Sequence, residues 1–204
     1  MIDADRQPGG HDMARFFGIT FAISWLLWLL PLLRSTWLPD LPEVVGLLGQ
    51  FAPFGPGVAA FWLVGRRAGR KGMRALWSRG WRLDFDKRWL VPALGLVPML
   101  GLVNVLVVVA LGGEIDWDVG IGPVMVIPIF LLIYVANALP EEYGWRGYAL
   151  DPLQRRFGPL GASLALGFVW GMWHLPLVFI EGTTQAAIPF HEFVLQTMVL
   201  AVVY

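Results

Sequence analysis

The chain has no cysteine, which excludes disulfide frameworks, thiolate metal sites and cysteine nucleophiles. Charge is also scarce: 15% of the residues are Asp, Glu, Lys or Arg, where a soluble domain carries about 25%. Fifteen basic residues balance fifteen acidic ones, so the composition offers no basic surface for nucleic acid. Histidine occurs only three times, at His11, His174 and His191. No internal repeat or low-complexity segment stands out. The remainder is apolar, with 57% hydrophobic residues in a chain of 204 and a mean hydropathy of +0.63. That balance suits lipid as solvent.

Crossing a hydrocarbon core of about 30 Å takes about 20 helical residues. Apolar stretches of that kind lie near 16–33, 44–64, 89–111, 124–139 and 159–180, and another begins near Phe193 and meets Tyr204 with no basic residue or turn to close it. The expected fold is all-α: a polytopic transmembrane helix bundle of five full spans and the start of a sixth. It is expected to form one membrane domain over 1–204, incomplete at its C-terminal end. The first run outlasts the h-region of a signal peptide, about 7 to 15 residues, and no small-residue cleavage site follows, so it reads as a retained anchor. The polar linker 65–88 is amphipathic and is expected along the membrane surface.

Short basic loops are retained on the cytoplasmic side. Two bases lie in the head up to Arg15, one (Arg34) in the first loop, nine between Arg66 and Arg88, and three at Arg146, Arg155 and Arg156; the third and fifth loops have none. Alternate loops thus hold fourteen of the fifteen, while the loops without bases carry Glu114, Asp116, Asp118, Glu181 and Glu192. The N-terminus, the 65–88 loop and the turn near 155–158 are expected in the cytoplasm. Trp25, Trp28, Trp37, Trp77, Trp81 and Trp89 read as interface-belt residues, and Gly95, Gly101 and Gly167 as places of close helix contact. Gln50 and Asn104 read as polar residues bonding between helices rather than touching substrate.

Glu141, Glu142 and Arg146 need a reason, because a charged side chain at the bilayer centre costs roughly 2.5 to 3.5 kcal/mol on insertion scales. One reading is plain: acids at a helix end, with Glu142 and Arg146 as an ordinary i, i+4 ion pair. The turn signals point elsewhere. Gly158-Pro159 is the first strong breaker after the glutamates, Arg155 and Arg156 form a cationic helix end before it, and Leu150, Leu153 and Phe157 keep helical spacing. The spacing predicts a helix that continues through the pair, kinked at Pro140. At 1.5 Å per residue Glu141 then stands about 21 Å before Arg155, and His174 about 22 Å beyond Pro159 on the returning helix. Two carboxylates, a guanidinium and an imidazole come to one level in the membrane. By itself His174 would read as a buried histidine satisfied by a helix partner.

The string Pro140-Glu141-Glu142-Tyr143-Gly144-Trp145-Arg146-Gly147 resembles the E-E-x-x-x-R motif, often followed by Gly, of the CPBP intramembrane proteases, the CAAX-processing and bacteriocin-processing (Abi) family. Trp170-Gly171-Met172-Trp173-His174 is similar to the family's second motif, F-x-x-x-H, with Trp in place of Phe. The resemblance covers roughly 124–180, in a CPBP-like core at about 124–204. It implies an intramembrane endopeptidase in which Glu141 activates water, His174 stands nearby, and Arg146 holds the glutamates; Glu142, pointing about 100° away from Glu141 on the helix, is expected chiefly to hold Arg146. Trp170 would be an aromatic wall for substrate. A carboxylate desolvated by helices becomes a usable base near neutral pH, and a guanidinium opposes that change. The family has been described both as metalloproteases and as glutamate proteases, so the resemblance implies either a divalent metal such as zinc, held by Glu141 and His174, or none. One Glu and one His are too few for a zinc site of three protein ligands.

The resemblance further implies an integral protein of a prokaryotic plasma membrane, with lipid and a membrane-associated or prenylated peptide or protein as partners. A third family motif, a second His followed four residues later by Asn or a similar residue, is absent. His191 is followed by Leu195 and reads as solvated in an outer loop; His11 lies in the polar head. The expectation is that Tyr204 is not the natural C-terminus and that the motif lies beyond it. Two other classes stay open: a non-catalytic scaffold or immunity protein of the same fold, and a transporter, since intramembrane acids also mark ion paths.

Overall fold

The computed structural model describes residues 9–82, 84–115 and 122–203. Among them all regular structure is helical: α1 (Gly10–Thr36), α2 (Glu43–Leu47) with a 3-10 segment Leu48–Phe54, α3 (Gly55–Arg79), α4 (Leu90–Ala110), α5 (Pro123–Ile133), α6 (Leu139–Gly144), α7 (Leu150–Trp173), α8 (Thr184–Ala187) and α9 (Phe190–Val203). The protein is an all-α polytopic membrane bundle. Four stretches are long and apolar enough to cross a membrane, Gly10–Thr36, Glu43–Arg79, Lys87–Ala110 and Val124–Phe179, and Phe190–Val203 is a shorter apolar helix. The loop residues Asp116, Asp118 and Gly120 lie outside the described residues.

The stretch Val124–Phe179 has 56 residues, about 84 Å if straight, against a core of about 30 Å. It therefore has to turn. It does so at Gly158, where φ is 70° and ψ 173°, a conformation that glycine adopts without a Cβ clash. The spans expected at 124–139 and 159–180 are the two arms of this one stretch. A second break falls at Gly69 (φ 57°, ψ −157°) inside α3, so the linker expected at 65–88 is largely helical. Beyond Gly69 it turns Gly72 and Leu76 into the core.

The chain falls into two compact units, one of Met1–Gly80 with Leu132–Tyr204 and one of Trp81–Leu131. In the second unit, α4 is preceded by a 3-10 turn, Lys87–Trp89, capped by Asp86, whose carboxylate accepts from Arg88 N–H at 3.1 Å. Arg82 pairs with Asp84. Within this unit Gly95 and Gly101 face open space rather than a helix neighbour.

The first unit is built on one face of α1. Met13, Phe16, Thr20, Ser24 and Trp28 are buried at spacings of three and four, which is the period of a single helical stripe. Ser24 Oγ donates to the Ala52 carbonyl at 2.7 Å, satisfying a hydroxyl that lipid could not. Glycines set the closest approaches. A Cβ on Gly167 would stand 2.6 Å from Met198 Cα, and Thr197 Oγ1 donates to the Gly167 carbonyl at 3.1 Å, so Gly167 is a close helix contact as expected. A Cβ on Gly144 would meet Pro56 at 2.4 Å (Cβ), 2.6 Å (C) and 2.7 Å (O). These are largely backbone atoms that cannot swing away. Gly144→Ala is therefore expected to destabilise the protein by about 1 to 3 kcal/mol or more, read as a lowered midpoint in thermal unfolding of the purified protein in detergent.

The helix is unbroken from Tyr134 to Phe157, as the spacing of Leu150, Leu153 and Phe157 predicts. Its irregularity takes a form the sequence did not disclose: two π turns, Tyr134–Ala138 and Trp145–Ala149, flank α6 and its glutamates. Pro140 accounts for the first. It has no N–H to donate, and its ring crowds the carbonyl four residues back. A wider turn just ahead, closed by Leu139 N–H on the Tyr134 carbonyl, relieves both.

Candidate active site

All five candidate residues form a linked set. Trp170 Nε1 donates to Glu141 Oε2 at 2.9 Å, which ties the arm before Gly158 to the arm after it. Arg146 Nη1 donates to Glu142 Oε1 at 2.9 Å, the i, i+4 pair. Its guanidinium carbon also lies 5.3 Å from the centre of the Trp170 ring. Trp170 thus touches both the first glutamate and the arginine. His174 Nδ1 lies 2.9 Å from the Trp170 carbonyl oxygen. A carbonyl only accepts, so Nδ1 carries the proton and Nε2 is left as the acceptor of the ring.

His174 lies at the end of the helix rather than within it. α7 stops at Trp173, His174 N–H bonds the Gly171 carbonyl at 3.1 Å, and Leu175–Phe179 continues as a 3-10 segment. Pro176 is the reason, since it has no N–H for the Met172 carbonyl. The imidazole is held by aromatic neighbours, with ring centres of Trp173, Phe193 and Trp28 at 4.7, 5.1 and 5.9 Å. His191 is exposed, as expected, but in the first turn of α9 rather than in a loop.

Glu141 and His174 line one cavity of about 340 Å³, together with Trp28, Gln50, Asn137 and Gln185 among others. Trp170 does not line it; it stands behind Glu141. Two neighbours were misread from sequence, and Gln50, expected to bond between helices, lines this cavity. Trp28, expected in the interface belt, is 6% exposed and packs against Trp173 with ring centres 4.6 Å apart. Trp25 Nε1 donates to the Trp173 carbonyl at 2.9 Å. The cause is register: Trp28 falls on the same α1 stripe as Ser24 and Thr20, a signal the four-residue spacing carries but a count of aromatics does not. Trp37, Trp81 and Trp89 are exposed, and Trp77 has one face on Tyr143 at 5.5 Å.

Among the described residues no group of three or more His, Cys, Asp or Glu stands together. Glu141 already accepts from Trp170, and His174 offers only Nε2. The residues present do not fit a zinc ion of three protein ligands.

Trp170 in place of the motif's Phe adds what a phenyl ring lacks, an N–H to a carboxylate. Trp170→Phe is expected to keep the fold but lose this bond, lowering the thermal midpoint of the purified protein in detergent by the equivalent of ~1.5 to 3 kcal/mol, the size of a hydrogen bond to a charged group.

A carboxylate and an imidazole facing one polar cavity inside a helical membrane bundle define an integral membrane protein with a site suited to proton transfer. Residues 123–204 match the family model described as type II CAAX prenyl endopeptidase Rce1-like. The chain is also 28% identical over 177 residues to a CAAX prenyl protease 2 of Methanococcus maripaludis, an alignment covering 83% of this chain. It spans 64% of the length of that curated relative. The family-model match lies on the segment that carries both motifs, and with them it makes this chain similar to the CPBP/CAAX-protease family.

Proposed function

We propose that the protein acts as an Rce1-like intramembrane endopeptidase that hydrolyses a peptide bond with water activated by Glu141. The observation that carries this reading is the shared cavity: Glu141 and His174 both line it, and each is fixed by Trp170. With Oε2 held by the indole, Oε1 is the oxygen that holds water and takes its proton as the oxygen attacks the peptide carbonyl. The same proton then passes to the leaving amide nitrogen. His174, with Nδ1–H committed to the Trp170 carbonyl, orients that water through Nε2. The side-chain amides of Asn137, Gln50 and Gln185 are neutral donors of the cavity for the developing oxyanion.

Arg146 and Glu142 act on position. The guanidinium spans the Glu142 carboxylate and the Trp170 ring at once, which a single ammonium on a flexible stem does not reproduce. Arg146→Lys is expected to lower kcat roughly tenfold, the size of one charge-assisted hydrogen bond, with little change in KM. The hydrolase reading is tested by reconstituting the full-length protein in liposomes with membrane peptides, a prenylated C-terminal peptide among them, and identifying cut products by mass spectrometry. Cut products that need Glu141 support it; intact peptides throughout, from well-folded protein, argue for the scaffold reading.

A further inference from the structure

We infer that the protein holds an anionic phospholipid at a site apart from the Glu141 and His174 cavity, with the lipid phosphate among Arg15, Arg66 and Tyr148 and an acyl chain in the groove beyond Trp62. Such a site is independent of the hydrolase reading. A pocket of about 510 Å³ lies where the first turns of α1, the stretch of α3 just before its break at Gly69, and the π turn Trp145–Ala149 meet, and it shares no lining residue with the Glu141 and His174 cavity. Three guanidinium groups line it, those of Arg15, Arg66 and Arg67, against one carboxylate, Asp12. The carboxylate is already committed: Asp12 Oδ2 accepts from Gly9 N–H at 3.2 Å and from Arg67 Nη1 at 2.7 Å. Arg15 and Arg66 form no ion pair among the described residues. Tyr148 forms the inner wall; it is 7% exposed, and its hydroxyl makes no hydrogen bond among the described residues. Guanidinium groups only donate. A phosphate diester offers oxygens that only accept, in the geometry that guanidinium forks match.

Trp62 makes the ligand a lipid rather than free phosphate. The Arg66 guanidinium carbon lies 5.0 Å from the centre of the Trp62 ring, and Trp62 is shared between this pocket and a second hollow of about 570 Å³, where it stands with Val58, Phe61, Met73 and Leu139. Val58, Trp62 and Arg66 are four residues apart, so they lie on one face of α3 over about 12 Å. Val58 and Trp62 are 49% and 48% exposed, and Arg66 is exposed too. That face passes from aliphatic to indole to guanidinium, in the order in which a phospholipid passes from acyl chain to glycerol to phosphate. An indole suits the boundary, being apolar in body and polar at one edge. Free phosphate would use the pocket alone, whereas a lipid with an anionic head uses both hollows. Basic pockets between membrane helices take such head groups, and the surplus of two positive charges, three guanidinium groups less one carboxylate, disfavours a head group that carries its own ammonium.

The test follows the thermal midpoint of the full-length protein in a nonionic detergent during titration with phosphatidylglycerol, phosphatidylcholine or inorganic phosphate. Phosphatidylglycerol is expected to raise the midpoint, because it ties α1, α3 and the helix of the glutamates together, and the other two to leave it unchanged. Arg15→Gln with Arg66→Gln is expected to need roughly tenfold or more phosphatidylglycerol for half the shift, the size of two lost interfacial charges. Arg15→Gln alone should need about fivefold more, which keeps the comparison open if the double variant does not fold. Arg70→Gln with Lys71→Gln removes two exposed bases outside the pocket and should respond as the parent does. Equal shifts with phosphatidylcholine, an equal shift with inorganic phosphate, or no response to phosphatidylglycerol would overturn the site. So would a parent-like response of the Arg15 and Arg66 variants, or an equal loss in the Arg70 and Lys71 variant, which would mark a general effect of charge.

Discussion

His174→Ala in the full-length protein is expected to lower cleavage by ~100-fold or more, the usual cost of losing a positioned acid-base partner. Alanine also empties a seat among Trp28, Trp173 and Phe193, so loss of activity alone would leave a packing effect in play. His174→Phe separates the two. It fills the same aromatic seat without a ring nitrogen, and is expected to insert and unfold like the parent while cleaving as poorly as His174→Ala. Cleavage rates and thermal midpoints of the two variants in detergent make the comparison. A His174→Phe protein that cleaves at the parent rate would remove the imidazole from the chemistry and leave it a packing role.

Much of this site was legible because it rests on local rules. Breakers and spacing placed Glu141, Glu142 and Arg146 on a helix that continues to Gly158, and a rise of 1.5 Å per residue brought His174 to their level across one turn. Those inferences need only the chain between 140 and 174. What escaped depends on register and on distant segments. The π turn ahead of α6 is a response to Pro140, and the second begins next to Gly144, which packs on Pro56; periodicity does not distinguish a 3.6-residue turn from a wider one over five residues. Trp28 and Gln50 come from segments far along the chain and reach the cavity only through α1 packing. Trp170 shows a different limit. Its aromatic character suggests a wall, and only the structure shows that its indole N–H is aimed at Glu141.

The Trp170 arrangement gives the motif spacing a physical meaning. Four residues separate Trp170 from His174, so one helical turn lets the backbone carbonyl of the first hold the ring of the second, while the indole of the first holds Glu141. A single residue therefore fixes carboxylate and imidazole relative to each other, on a helix whose own position depends on Gly167 and Gly171 against α9. Such support from rigid elements is what keeps reacting groups within the narrow geometry that catalysis requires.

Glu141→Gln is the most direct measurement of the central claim. Glutamine keeps the size of the side chain and can still accept from the Trp170 indole through its amide oxygen, so insertion, yield and thermal midpoint should match the parent. It cannot take a proton from water, and cleavage of a membrane peptide by the full-length protein in liposomes is expected to fall by ~100-fold or more. Glu142→Gln, whose partner is Arg146, should lose less. A Glu141→Gln protein that inserts normally and cleaves at the parent rate would contradict a glutamate-activated water.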